Sequence, residues 1–123
     1  MELKHYKDLI VWRKAMDLVY HIYQITKLFP KEEIYGLTSQ LRRAAVSVAS
    51  NIAEGQARKS KLQFKYFLTI AKGSIAEIDT QLLIAIRLNY IQEIQIKDLI
   101  TIREEVSKML SSMITKFSPA TEN

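Results

Sequence analysis

Chemistry in this chain rests on its charged side chains, because the usual reactive groups are scarce. There are no cysteines and only two histidines, His5 and His21. Without cysteine there is no disulfide, thiolate metal site or thiol nucleophile, a composition suited to a reducing compartment. The paired Glu-x-x-His motifs of carboxylate-bridged dimetal bundles are missing, and no H-E-x-x-H run occurs. Gly36, Gly55 and Gly73 stand alone, so there is no Gly-rich phosphate loop, and no G-x-S-x-G elbow is present. Glu54, Glu77 and Asp79 are single carboxylates that nothing in the sequence pairs across a cleft. The expectation is a protein with no catalytic residue, cofactor or metal, and not an enzyme.

The basic residues are more informative. Between Gly55 and Ala76 stand Arg58, Lys59, Lys61, Lys65 and Lys72 without one Asp or Glu. That run equals the formal net charge of the whole chain, +5, so the remainder balances to zero. Such an edge can neutralise phosphates, or it can be an ordinary solvated helix start. Lysines at a helix N-terminus oppose the macrodipole, which argues for a purpose beyond folding. Arg42 and Arg43 differ because small residues surround them. They either fix the register of packed helices or grip phosphate with their planar guanidinium groups.

The candidate nucleic-acid contacts are therefore Arg42, Arg43, Arg58, Lys59, Lys61, Lys65 and Lys72. Contact would be mainly to phosphate and of low sequence specificity, with RNA or DNA as partner. The alternative is an adaptor whose surface binds a protein.

Few turns are available to position these residues: Gly 3 and Pro 2 in 123 residues favour long helices. The first is expected over Asp8 to Phe29, with one apolar row at Leu9, Trp12, Met16, Val19, Tyr23 and Thr26. Beside it runs a second row of Val11, Ala15, Leu18, Ile22, Ile25 and Phe29, and Pro30 stops the helix. The second runs from an N-cap at Thr38 to Ala57, with many small residues that let neighbours approach.

The third begins at an N-cap, Ser60, and reaches Asn89. Phe64, Leu68, Ala71, Ile75, Ile78, Leu82 and Ala85 form its bundle seam. A second row holds Phe67, Ile70, Ser74, Gln81, Ile84 and Leu88. Gly73 costs about 1 kcal/mol against Ala there, which a close helix crossing would explain. The fourth covers Ile94 to Phe117 through Leu99, Ile102, Val106, Met109, Met113 and Phe117. The pattern predicts an all-α, up-down-up-down four-helix bundle over residues 1–117 and a disordered tail at 118–123. The spare apolar rows mean either contact with another chain or a wide core face. No apolar run approaches a membrane span of about 20 residues, and the N-terminus lacks a signal-peptide pattern. The expected compartment is the cytoplasm.

The motifs E-x-Y-G-L, L-R-R-A, N-I-A-E-G and A-K-G-S follow one another within residues 33–74, after the opening "LIVWRKAMDL". Over about residues 6–91 the chain resembles the four-helix-bundle proteins encoded in intervening sequences of bacterial large-subunit rRNA genes. The resemblance implies a ring-like homo-oligomer, a pentamer. It also implies similarity to the accessory proteins of diversity-generating retroelements, which associate with nucleic acid and a reverse transcriptase, and no catalytic activity.

Overall fold

The protein is described by a computed structural model over residues 5–118. Four α-helices account for most of it: α1 Ile10–Thr26, α2 Leu37–Ala57, α3 Lys61–Arg87 and α4 Lys97–Lys116. Short 3-10 turns at Tyr6–Asp8, Lys31–Glu33 and Glu93–Ile96 precede α1, α2 and α4, and no strand occurs among the described residues. Each helix packs on the next and α4 packs back on α1, which closes an up-down-up-down four-helix bundle. The broadest contact is α2 on α3, because Ala44, Ala45, Val48, Ala49 and Gly55 keep that side of α2 thin.

Periodicity places the core. The seam of α3, from Phe64 through Leu68, Ala71, Ile75, Ile78 and Leu82 to Ala85, is buried throughout. On α1 the inward row is Val11, Ala15, Leu18, Ile22 and Ile25, while Met16 and Tyr23 of the other row are exposed. On α4, Leu99 and Val106 are buried as the spacing predicts. The pattern missed Leu110, which is fully buried, and Met109, Met113 and Phe117 only lean on the core. Ser118 closes α4 by donating to the Ile114 carbonyl at 2.7 Å; the rest of the expected tail, 119–123, lies outside the described residues.

Two expectations are corrected. Thr38 is not the N-cap of α2: it is buried one residue inside the helix. The cap comes from Glu33, whose Oε1 accepts the Leu37 N–H at 2.9 Å. A Cβ on Gly36 would stand 2.6 Å from that oxygen, so glycine there leaves the carboxylate its path. Gly73 is not at a helix crossing, since nothing lies within 4 Å of the place its Cβ would take. The close approach is at Gly55, where a Cβ would meet the Phe67 Cβ at 2.7 Å and Phe64 Cδ1 at 3.1 Å. The small residue that the crossing needs sits on the thin helix, α2, and not on α3.

Candidate nucleic-acid interface

The corner between α2 and α3 is built from two helix ends. Arg58 keeps helical dihedrals, Lys59 turns left-handed at φ 57°, and their N–H groups close on Gly55 O and Gln56 O at 3.3 and 3.2 Å. A left-handed residue ending a helix is usually glycine, so the lysine holds a position that its backbone does not favour. Ser60 then caps α3, its Oγ accepting the Gln63 N–H at 3.3 Å. Arg58, Lys59 and Lys61 are thereby carried to one tip.

Along α3, Lys61, Lys65 and Lys72 fall at i, i+4 and i+11, which is one stripe of a 3.6-residue helix. Lys61 and Lys72 are exposed and Lys65 half-buried. Tyr66 stands beside the stripe with 62% of its surface exposed. Sequence reasoning had not singled it out; an aromatic next to lysines is the available signal, since single-stranded nucleic acids stack on such rings.

The corner's charges are mostly unspent. Arg58 faces Glu54 at 4.0 Å, with half of each side chain exposed, and its guanidinium lies 5.1 Å from the Phe67 ring centre. Lys59, Lys61, Lys65 and Lys72 make no ion pair among the described residues. Arg58 and Lys59 end α2, where positive charge suits the dipole, whereas Lys61 and Lys65 open α3 against it.

Arg42 and Arg43 are not part of this corner. Fifteen residues of helix separate Arg43 from Arg58, about 22 Å of rise. Arg42 is half-buried: its Nε donates to Thr26 Oγ1 at 2.9 Å and its guanidinium lies 4.6 Å from the Tyr23 ring centre. That contact ties α2 to the end of α1. Arg43 points to solvent without an ion pair among the described residues. Between α2 and α3, Ser74 Oγ donates to Ser47 Oγ at 3.0 Å, and within α2 Asn51 Nδ2 donates to Ser47 O and Oγ at 2.8 and 3.0 Å.

Among the described residues Glu33, Tyr90 and Asp79 have shifted titrations, and all three lie away from the basic corner. The Leu37 N–H and the Tyr90 hydroxyl, which donates to Oε2 at 2.8 Å, hold the Glu33 carboxyl below its ordinary range against a smaller opposing effect of burial. The same hydrogen bond, with burial and the charge of Glu33, raises the Tyr90 phenol. Burial raises Asp79, partly countered by Arg103; Arg103 Nε and Asp79 Oδ1 are 3.0 Å apart but not aligned for a hydrogen bond. No group of three His, Cys, Asp or Glu side chains among the described residues is arranged to hold a metal. No helix described is long and apolar enough to cross a membrane.

Among the described residues, four helices and a basic α2–α3 corner place the chain in the class of small all-α bundles. Within it, the chain matches the model of the 23S rRNA-intervening sequence protein family over residues 7–112 and belongs to that family. A crystal structure of a protein of unknown function from the S23 ribosomal protein family, from Bacteroides thetaiotaomicron VPI-5482, superposes with a TM-score of 0.75. It is 25% identical, and the alignment covers 85% of this chain and 98% of that one. No match was found among the curated proteins.

Proposed function

We propose that this chain is a non-enzymatic, oligomeric protein of the cytoplasm that binds nucleic acid, RNA ahead of DNA, through phosphate contacts at the α2–α3 corner. The observation that carries this is the run of Arg58, Lys59, Lys61, Lys65 and Lys72 along one edge, unbroken by acids and largely free of ion pairs. RNA comes first because the family is named for an rRNA-intervening sequence. Assembly is supported by large apolar side chains left exposed on α1 and α3, among them Met16, Tyr20, Leu83 and Ile84. A ring of five, the state implied by the resemblance, would repeat the corner once per subunit and sum weak contacts.

Fluorescence anisotropy with a single-stranded RNA across a salt series tests the reading. Each phosphate contact contributes about −0.7 to the slope of log affinity against log salt. Changing Arg58, Lys59, Lys61 and Lys65 together to Gln should weaken binding and flatten that slope. Light scattering should give several times the 14.3 kDa chain mass for parent and variant alike. An unchanged affinity and slope would leave the corner as a solvated turn.

A second reading, an adaptor for a protein partner, draws on the α3–α4 groove. This opening of about 570 Å³ is lined largely by Leu82, Leu83, Ile86, Ile96 and Ile100. RNA binding that is absent at low salt, with one protein retained from cell extract and lost on Leu83→Glu, would favour it.

A further inference from the structure

On the opposite half of the α2–α3 face lies a cleft of about 480 Å³, within the size range of small-ligand sites. Its walls carry Tyr35, Ser39, Gln40 and Arg43 from the start of α2 and the turn before it, with Glu77 and Gln81 from α3. Unlike the groove between α3 and α4, it is mainly polar, and one of its polar groups is orphaned. Gln81 is 9% exposed, its Nε2 donates weakly to Gln40 Oε1 at 3.4 Å, and its Oε1 is buried with no partner. Exchanging oxygen and nitrogen on both amides reverses the polarity of the pair but still leaves one buried Gln81 atom unpaired. A buried amide without its partner is costly, and this one belongs to a side chain that lines the cleft.

The other walls say what would suit that amide. Arg43 offers a guanidinium on the α2 side that makes no ion pair among the described residues, suited to a phosphate. Glu77 on the α3 side accepts hydrogen bonds, as an exocyclic amino group requires. Tyr35, in the turn leading into α2, is 95% exposed and presents a bare aromatic face. An anion at one end, a flat ring, and an N–H-bearing edge at the other is the outline of a nucleotide. Glutamine amides pair with the edge of a purine in the same manner.

We infer that this cleft binds a single unstacked purine nucleotide, its base edge on Gln81 and Gln40, its ring against Tyr35 and its phosphate on Arg43. The inference rests on the nucleic-acid reading for where such a base comes from: a strand held by its phosphates at the corner. An adjoining cleft of about 370 Å³ runs from Gln40 and Gln81 past Gly73, the neighbour of Lys72. The bare surface over Gly73 leaves room for a backbone between the base site and the lysine stripe.

Calorimetric titration of the full chain with AMP, GMP and ribose 5-phosphate tests the cleft alone. At least one purine nucleotide should bind roughly tenfold more tightly than the sugar phosphate, the discrimination expected of one recognised base. Gln81→Leu should erase that preference, and so should Gln40→Ala, an exposed change that leaves folding unaffected if the buried one does not. Arg43→Gln should weaken all three probes together. Equal binding of the three by the parent, or a preference that survives both glutamine changes, overturns the inference. It is also overturned if the variants alter only the light-scattering mass, for then the face is a contact between copies. A purine-containing RNA and an abasic strand of equal charge separate the two readings. Equal, salt-dependent affinity for both strands leaves the corner standing and removes the cleft. Purine mononucleotide binding without binding of either strand keeps the cleft and removes the corner.

Discussion

At the N-terminal end of α2, Glu33 caps the helix and accepts from Tyr90, while Arg42 reaches back to Thr26 and Tyr23. At the C-terminal end Lys59 and Lys61 finish in solvent, and Arg58 meets only a half-exposed Glu54 at 4.0 Å. The two ends use similar residue types for opposite ends. In the first, Glu33 and Arg42 each have hydrogen-bond partners, which tie the start of α2 to α1 and to the α3–α4 connection. In the second, the charges are set side by side with almost nothing to neutralise them. A basic cluster is therefore informative about binding only after the partners inside the chain have been subtracted. That subtraction removes Arg42 and leaves Arg43 and the corner.

The open end is not loosely built, and glycine replacement shows this most sharply. Gly55→Ala pushes a Cβ to 2.7 Å from the Phe67 Cβ, so α2 and α3 must separate just under the basic tip. Thermal or urea unfolding should show a loss of about 1–3 kcal/mol from overpacking. Gly73→Ala meets nothing within 4 Å, and relief of the glycine entropy should add about 0.5–1 kcal/mol. Equal signs for the two changes would mean that the crossing is not where Gly55 puts it.

Next in size is the contrast between adjacent arginines. Arg42→Gln loses the hydrogen bond to Thr26 and the stacking on Tyr23, and should cost about 1 kcal/mol. Arg43→Gln should stay within about 0.5 kcal/mol, as surface changes do. A comparable loss at both positions would place Arg43 in a packed contact between subunits.

The capped end should also carry an acid signature. Glu33 has a native pKa below its unfolded value, so its contribution is complete above the ordinary carboxylate range and is lost as pH falls through the lowered native value. Asp79 has the opposite sign: its native carboxyl is raised by burial, so the native state takes up the proton first and gains stability as pH falls through that raised value. In melting temperatures followed from neutral pH into the carboxylate range, Glu33→Gln should make the acid loss shallower. Asp79→Asn should make it steeper. Parallel curves for the two variants would contradict the assigned surroundings.

The bundle itself was open to reading from the sequence, because four runs of three-four spacing and few breakers leave little else to build. The α3 seam and the Ser60 cap fell where that spacing put them. What escaped was decided by contacts between elements. Thr38 satisfies every local rule for a cap, yet a carboxylate from the preceding turn reached the helix end first. Gly73 looked like a crossing because glycine is costly in a helix, but the crossing was set by Gly55 on the partner. On α1 the two rows are equally long and both largely apolar, and the positions of α2 and α4 decide which faces inward. At the candidate site the five-residue basic run was visible directly. Gln81 and Tyr35 were not, since an orphaned amide and a bare ring are defined by neighbours that are distant in sequence.

The smallest effect expected is the most discriminating for the corner. Among the described residues Glu54 is the one acid paired with the tip, four residues before Arg58, with a 4.0 Å separation and half of each side chain exposed. Pairs of this kind contribute about 0–1 kcal/mol, and screening and side-chain entropy put this one at the low end. Glu54→Gln should therefore leave the unfolding midpoint almost where it was. The same change removes a negative charge beside Arg58 and frees its guanidinium for a phosphate. RNA affinity at low salt should rise modestly, and the gain should fade as salt shortens the range of the interaction. A large loss of stability would make the pair structural and bring the corner closer in kind to the capped end. An affinity that does not move at any salt concentration would mean that Arg58 takes no part in binding and would shift the site along α3 toward Lys65 and Lys72.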